Sequence, residues 1–122
     1  MAGQMVHLEI PAGDTAKARE FWGGLFGWEF QQFPGPGEYF MTRFSETQGG
    51  AIMSADGDAR GTRVYFDVDD INEGVARVRE LGGEAGDAMP VPEQGWFAIC
   101  KDSERNAFGL WQTDPSAPAP TA

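Results

Sequence analysis

The chain has 122 residues, 41% of them hydrophobic, enough for one domain with a real core and too few for two ordinary ones. Its 19 acidic side chains outnumber 9 basic ones, a formal net charge of -10, so its surface repels phosphate backbones and anionic lipid heads, which argues against nucleic-acid and membrane partners. Cys100 is the single cysteine, which excludes an internal disulfide and a multi-cysteine zinc cage and suits a reducing, cytoplasmic setting. No apolar run approaches the roughly 18 residues that span a bilayer, and the first residues lack the basic start and apolar stretch of a signal peptide.

In chain order, MVHLEIPAGD (5–14) opens as a strand with Val6, Leu8 and Ile10 on one face and His7, the chain's one histidine, with Glu9 on the other. Asp14 is the expected N-cap of a helix whose apolar positions are Ala18, Phe21, Trp22 and Leu25, before Gly23, Gly24 and Gly27 loosen the pattern. WEFQQF (28–33), EYFMTRF (38–44) and GGAIMSA (49–55) follow as three strands, the first two joined by a PGPG turn at 34–37.

The order then repeats. TRVYFDV (62–68) reads as a strand, and Asp70 with Glu73 has capping-box spacing ahead of Ile71, Val75, Val78 and Leu81 on one helical stripe. EAGDAMPVP (84–92) is a strand interrupted by proline, and GWFAICKD (95–102) and AFGLWQ (107–112) are two more. The expectation is therefore an α+β domain over residues 1–113, built of two βαβββ modules at about 5–56 and 61–113. DPSAPAPTA (114–122), with no apolar periodicity, reads as a disordered tail.

Strand alternation places Val64, Phe66, Val68, Phe108 and Leu110 with the apolar face of the first strand. It places Arg63, Tyr65, Asp67, Ala107, Gly109 and Trp111 with His7 and Glu9. A polar but aromatic face of this kind has the composition of a small-molecule pocket. The competing reading is a solvated face with ion pairs such as Arg63 with Glu9 or Asp67.

Three stretches carry a family likeness: VHLEIPAGDTAKAREFWGGLFGW (6–28), the VDDI helix opening (68–71) and GWFAICKDSERNAFGLWQ (95–112). With them the chain resembles the vicinal oxygen chelate superfamily, the group of glyoxalase I, extradiol dioxygenases and bleomycin-resistance proteins. The resemblance implies that the two βαβββ modules curl into a pseudo-symmetric pocket, and that a chain of this size pairs as a homodimer. It also implies a divalent metal held by four side chains, at positions that fall here on His7, near Ala51, at Arg63 and on Gly109. Of these only His7 is a metal ligand. Glycine and alanine offer no donor, arginine is a permanent cation, and one imidazole does not hold a metal tightly. The family's usual cofactor is thus not expected. The divalent metal that remains conceivable would need a nonstandard site of His7, Glu9 and Asp67.

No HExxH, CxxC, Walker loop or GxGxxG occurs, and Cys100 in an apolar strand reads as a buried small hydrophobe. Three functions follow. The first is metal-independent binding of a flat or anionic small organic ligand, with Arg43, Arg63, Tyr65, Asp67, Trp96 and Trp111 as contacts. The second is an enzyme of lyase, isomerase/epimerase or dioxygenase type, metal-independent or with an atypical metal, in which His7 and Glu9 act as an acid/base pair beside a carbonyl. The third is a dimeric module presenting a surface to a protein partner.

Overall fold

A computed structural model of the chain describes residues 2–35, 37–55 and 61–119. Pro36 of the expected turn, the stretch 56–60 that separates the expected modules, and 120–122 of the expected tail lie outside the described residues. The chain divides into two compact units. One is His7–Arg63, and the other runs from Val64 onward together with the residues up to Val6.

In the first unit, strand β1 (Met5–Ala12) is followed by helix α1 (Thr15–Phe26) and strands β2 (Gln31–Gln32), β3 (Tyr39–Arg43) and β4 (Gly49–Ser54). β4 pairs with β1 in parallel and with β3 antiparallel, and β2 lies on the far side of β3. Asp14 caps α1 by accepting from the Lys17 N–H, and Gly27 ends it in the left-handed conformation, φ 73°, where a glycine carries no Cβ penalty. The helix therefore runs on through Gly23 and Gly24, where the sequence pattern suggests it loosens.

Its buried stripe also differs from the expected one. Thr15, Ala18, Arg19 and Trp22 turn inward, at i, i+3, i+4 and i+7, whereas Phe21 and Leu25 are 62% and 58% exposed. The strand expected over 28–33 shrinks to Gln31–Gln32. Trp28 is instead drawn into ring contact with Trp22, Phe26, Phe30 and Phe44, the last at 4.6 Å between centroids. Aromatic packing here prevails over strand propensity.

The second unit repeats the plan with β5 (Arg63–Asp67), α2 (Ile71–Glu80), β6 (Glu84–Ala85), β7 (Met89–Val91), β8 (Gly95–Lys101) and β9 (Ala107–Thr113). β9 pairs with β5 in parallel and with β8 antiparallel, and β6 and β7 both pair with β8. The single proline-interrupted strand expected over 84–92 is thus two short ones. Asp70 accepts from the Asn72 and Glu73 N–H groups and starts α2, as the capping-box spacing suggests. Ile71 and Val75 pack from α2 onto Ala98, Cys100 and Leu110, with Val68, Val78 and Phe108 around them. Leu81 falls past the last turn and is 64% exposed.

The tail does not begin as free chain. The Asp114 N–H donates to the Gln94 carbonyl, the Glu93 N–H donates to the Ala117 carbonyl, and Ala117 is buried. Among the described residues, no helix is long and apolar enough to cross a membrane.

Candidate functional site

β1, β4 and β3 lie side by side, with His7 level with Gly49 and Arg43, and Glu9 level with Ala51 and Met41. Residues level across neighbouring strands share a face. The strands flanking β4 stand two spacings apart, roughly 10 Å, so their side chains meet only if the middle strand keeps low. Gly49 and Ala51, both buried, do so.

Over this low floor a chain of polar contacts forms. The Tyr39 hydroxyl lies 2.8 Å from His7 Nε2 and donates to Glu9 Oε2 at 2.8 Å. Arg63 Nη1 donates to the other carboxylate oxygen, Oε1, at 3.2 Å, forming an ion pair with a carboxylate that is largely buried. The imidazole and phenol rings are close to coplanar, 13° between planes at 6.3 Å. Burial holds the His7 pKa below its ordinary 6.5; the Glu9 charge works against this and the Arg43 charge adds to it. The imidazole is neutral at neutral pH.

Two further contacts brace the face from behind. Thr15, the first residue of α1, donates from Oγ1 to the Glu38 carboxylate at 2.8 Å and so ties down the start of β3. The Arg19 guanidinium lies 3.9 Å over the Phe40 ring, a cation–π contact on the opposite side of β3 from Tyr39.

Of the residues expected from the sequence, His7, Glu9 and Arg63 come together here. Arg43 stands at the end of β3 and donates to the Ser45 and Glu46 carbonyls of its own turn, with its side chain across Gly49. The other four expected contacts belong to the second unit, and each has a role there. Tyr65 is buried with its ring against Gly109, and Asp67 Oδ1 accepts from the Gln4 N–H. The Trp96 indole N–H donates to Asp114 and that of Trp111 to Thr113. Tyr39 is the residue sequence reasoning missed. Its signal was available, since it is one of only two tyrosines and sits on a strand of alternating facing, but its reach to β1 depends on the small residues of β4.

The four positions that the resemblance gives to metal ligands do not furnish a donor set. His7 Nε2 is engaged by Tyr39, Ala51 has no donor, Arg63 is an ion-paired cation, and the Tyr65 ring fills the space beside Gly109. Among the described residues no group of three His, Cys, Asp or Glu side chains that could hold a metal is found. Cys100 is buried with its thiol pKa raised by that burial, the opposite of what a nucleophile needs.

A groove of about 600 Å³ lies in the second unit beside α2, lined among others by Asp70, Val75, Arg79, Asp87, Trp96 and Asp114. Its carboxylates are spent on structure. Asp70 caps α2, Asp87 pairs with Arg79, and Asp114 accepts from Trp96 and Ser116. The chemistry is concentrated on the β1–β3–β4 face instead.

Comparison with known proteins agrees with this architecture. A protein from Didymella fabae described as glyoxylase-like domain-containing is 27% identical, over 88% of this chain and 92% of its own length. A putative glyoxylase, CFP32, from Mycobacterium tuberculosis is 26% identical over 88% of this chain, which spans only 44% of that relative's length. Among solved structures, a variant of Streptomyces coelicolor methylmalonyl-CoA epimerase in complex with 2-nitronate-propionyl-CoA shares the fold at a TM-score of 0.76. It is 12% identical, with 98% of this chain and all of that one covered. The α+β fold of the glyoxalase and bleomycin-resistance superfamily, expected from the sequence, is the fold observed. The family profile for the glyoxalase-like domain matches residues 5–111, nearly the whole described chain, and the protein belongs to that family.

Proposed function

We propose that this glyoxalase-like protein binds a small anionic organic ligand, without a divalent metal, on the face that carries His7, Glu9, Tyr39, Arg43 and Arg63. The observation that supports this reading is the linked chain from His7 through Tyr39 and Glu9 to Arg63. Burying a carboxylate, a phenol and an imidazole together costs stability unless each is satisfied, and an apolar face would hold the strands at less cost. The Arg43 charge acts on the imidazole while that of Arg63 is balanced by Glu9, which leaves Arg43 as the cation of this face on a chain of net charge -10, and arginine suits carboxylate or phenolate recognition. The protein acts as a homodimer in the cytoplasm in this reading, with the exposed Phe21, Leu25 and Phe26 of α1 as the apolar contact.

A second reading rests on the same chain of contacts. A neutral histidine coupled to a carboxylate through a hydroxyl is equipped to move a proton beside a carbonyl, and the fold is shared with a methylmalonyl-CoA epimerase. Isomerisation or epimerisation of an acyl compound is the reaction this arrangement suits. The two readings separate on His7→Ala, which abolishes turnover in the enzyme and alters affinity only modestly in the binder.

The test is a thermal-melt screen of small carboxylates and phenolates with and without chelator, alongside Mn, Fe, Ni and Zn ions. An anionic ligand is expected to raise the melting temperature independently of chelator and to lose its effect in Arg43→Ala. Stoichiometric metal in the purified protein, with a melt that depends on it, would overturn the metal-free reading.

A further inference from the structure

We propose that Tyr39 is a positioning residue for His7: its hydroxyl fixes the imidazole as the Nε2–H tautomer and links it to the negative charge of Glu9. A phenol has one proton to give. Tyr39 gives it to Glu9 Oε2 at 2.8 Å, because an ionised carboxylate only accepts. At 2.8 Å from His7 Nε2 the same oxygen can then only accept, so Nε2 carries the hydrogen.

Each part of the arrangement is held from outside. Arg63 on Oε1 keeps the carboxylate turned so that Oε2 meets the hydroxyl. The contact from Thr15 to Glu38 fixes the chain one residue before Tyr39. The charged or titratable groups seen to act on His7 include Glu9 from β1, Tyr39 and Arg43 from β3, and Arg63 by way of Glu9. The strand between places Gly49 and Ala51 level with His7 and Glu9, and Met53 level with Tyr39.

This inference deepens the reading of the face as a functional site, but its test needs no ligand. His7 is the chain's one histidine, so a long-range ¹H–¹⁵N spectrum of labelled protein contains a single imidazole. In the neutral form, Nε2 is expected at the pyrrole-type position and Nδ1 at the pyridine-type position. Glu9→Gln sharpens the test. Arg63 claims the single amide oxygen, the amide NH₂ donates to the Tyr39 oxygen, the tyrosine proton turns to Nε2, and the tautomer inverts to Nδ1–H. In Tyr39→Phe the preference for Nε2–H is lost. A wild-type spectrum showing Nδ1–H, or a tautomer unmoved by both variants, overturns the proposal. The wild-type spectrum alone decides should a variant fail to fold. A failed ligand screen leaves the tautomer result standing, and a wrong tautomer leaves binding at Arg43 intact, so the two readings fail separately.

Discussion

The ring of Tyr65 occupies the space that a side chain at position 109 would need: a Cβ built on Gly109 falls within the van der Waals envelope of the ring. The resemblance gives that position to a metal-binding glutamate. Here it is the floor of a buried tyrosine, with β5 and β9 level at Tyr65 and Gly109. Gly109→Glu is therefore expected to destabilise the fold by upwards of about 2 kcal/mol, through overpacking and a buried charge, and to confer no metal binding. Chemical denaturation and elemental analysis of the variant check both. A stable, metal-loaded variant would show that Tyr65 yields easily.

The pair Glu9–Arg63 joins a largely buried carboxylate to a guanidinium whose side chain is 27% exposed. Arg63→Ala takes the cation from a carboxylate that cannot move to water, and about 1–3 kcal/mol of stability should go with it. Adding Glu9→Gln removes the unbalanced charge as well. The double variant should be more stable than Arg63→Ala alone, measured as the shift in urea midpoint at constant slope. Equal midpoints would mean that the carboxylate finds another cation.

His7 gives the fold a pH dependence whose sign follows from the direction of its shift. Its pKa in the folded protein lies below the ordinary 6.5, chiefly through burial. Between the two values the unfolded chain binds the extra proton, so stability rises with pH across that window and is fully present above 6.5. Thermal melts from pH 5 to 7.5 should show this slope, and His7→Gln should flatten it. A slope unchanged by the substitution would assign the effect to carboxylates instead.

The outward side of α1 presents Phe21, Leu25 and Phe26, each more than half exposed. Apolar surface of this kind on a small acidic chain favours association. Sedimentation equilibrium is expected to show a dimer that Phe21→Ser with Leu25→Ser converts to monomer while the circular dichroism spectrum is kept. A dimer that survives the pair of changes would place the contact elsewhere.

The two units were legible where the sequence carries local rules. Asp14 and Asp70 announce their helices because a side-chain oxygen at the N-cap answers orphaned N–H groups wherever it occurs. The alternation of His7 and Glu9 against Val6 and Leu8 follows from strand geometry alone. What was not legible depends on partners distant in the chain. The outward turn of Phe21 follows from which side of α1 meets β4, the loss of strand at Trp28 from the ring of Phe44, and the reach of Tyr39 from Gly49 and Ala51. None of these is written in the spacing around the residue concerned. Asp67, Trp96 and Trp111, expected as ligand contacts, have partners within their own unit, Gln4, Asp114 and Thr113, which no local spacing announces.

Each unit closes by laying its last strand parallel to its first, His7 level with Gly49 in one and Tyr65 with Gly109 in the other. Such a closure joins the two ends of a module, so its loop entropy is met in full before any of its contacts form. Helices and hairpins within a module assemble sooner than the closing pair. The contact between Tyr39 and His7 spans that same closure, β3 to β1, and is expected among the last to form. The tautomer of His7 should then report on folding: a refolding chain with its helices but not its final strand pairing is expected to carry an ordinary, solvated histidine.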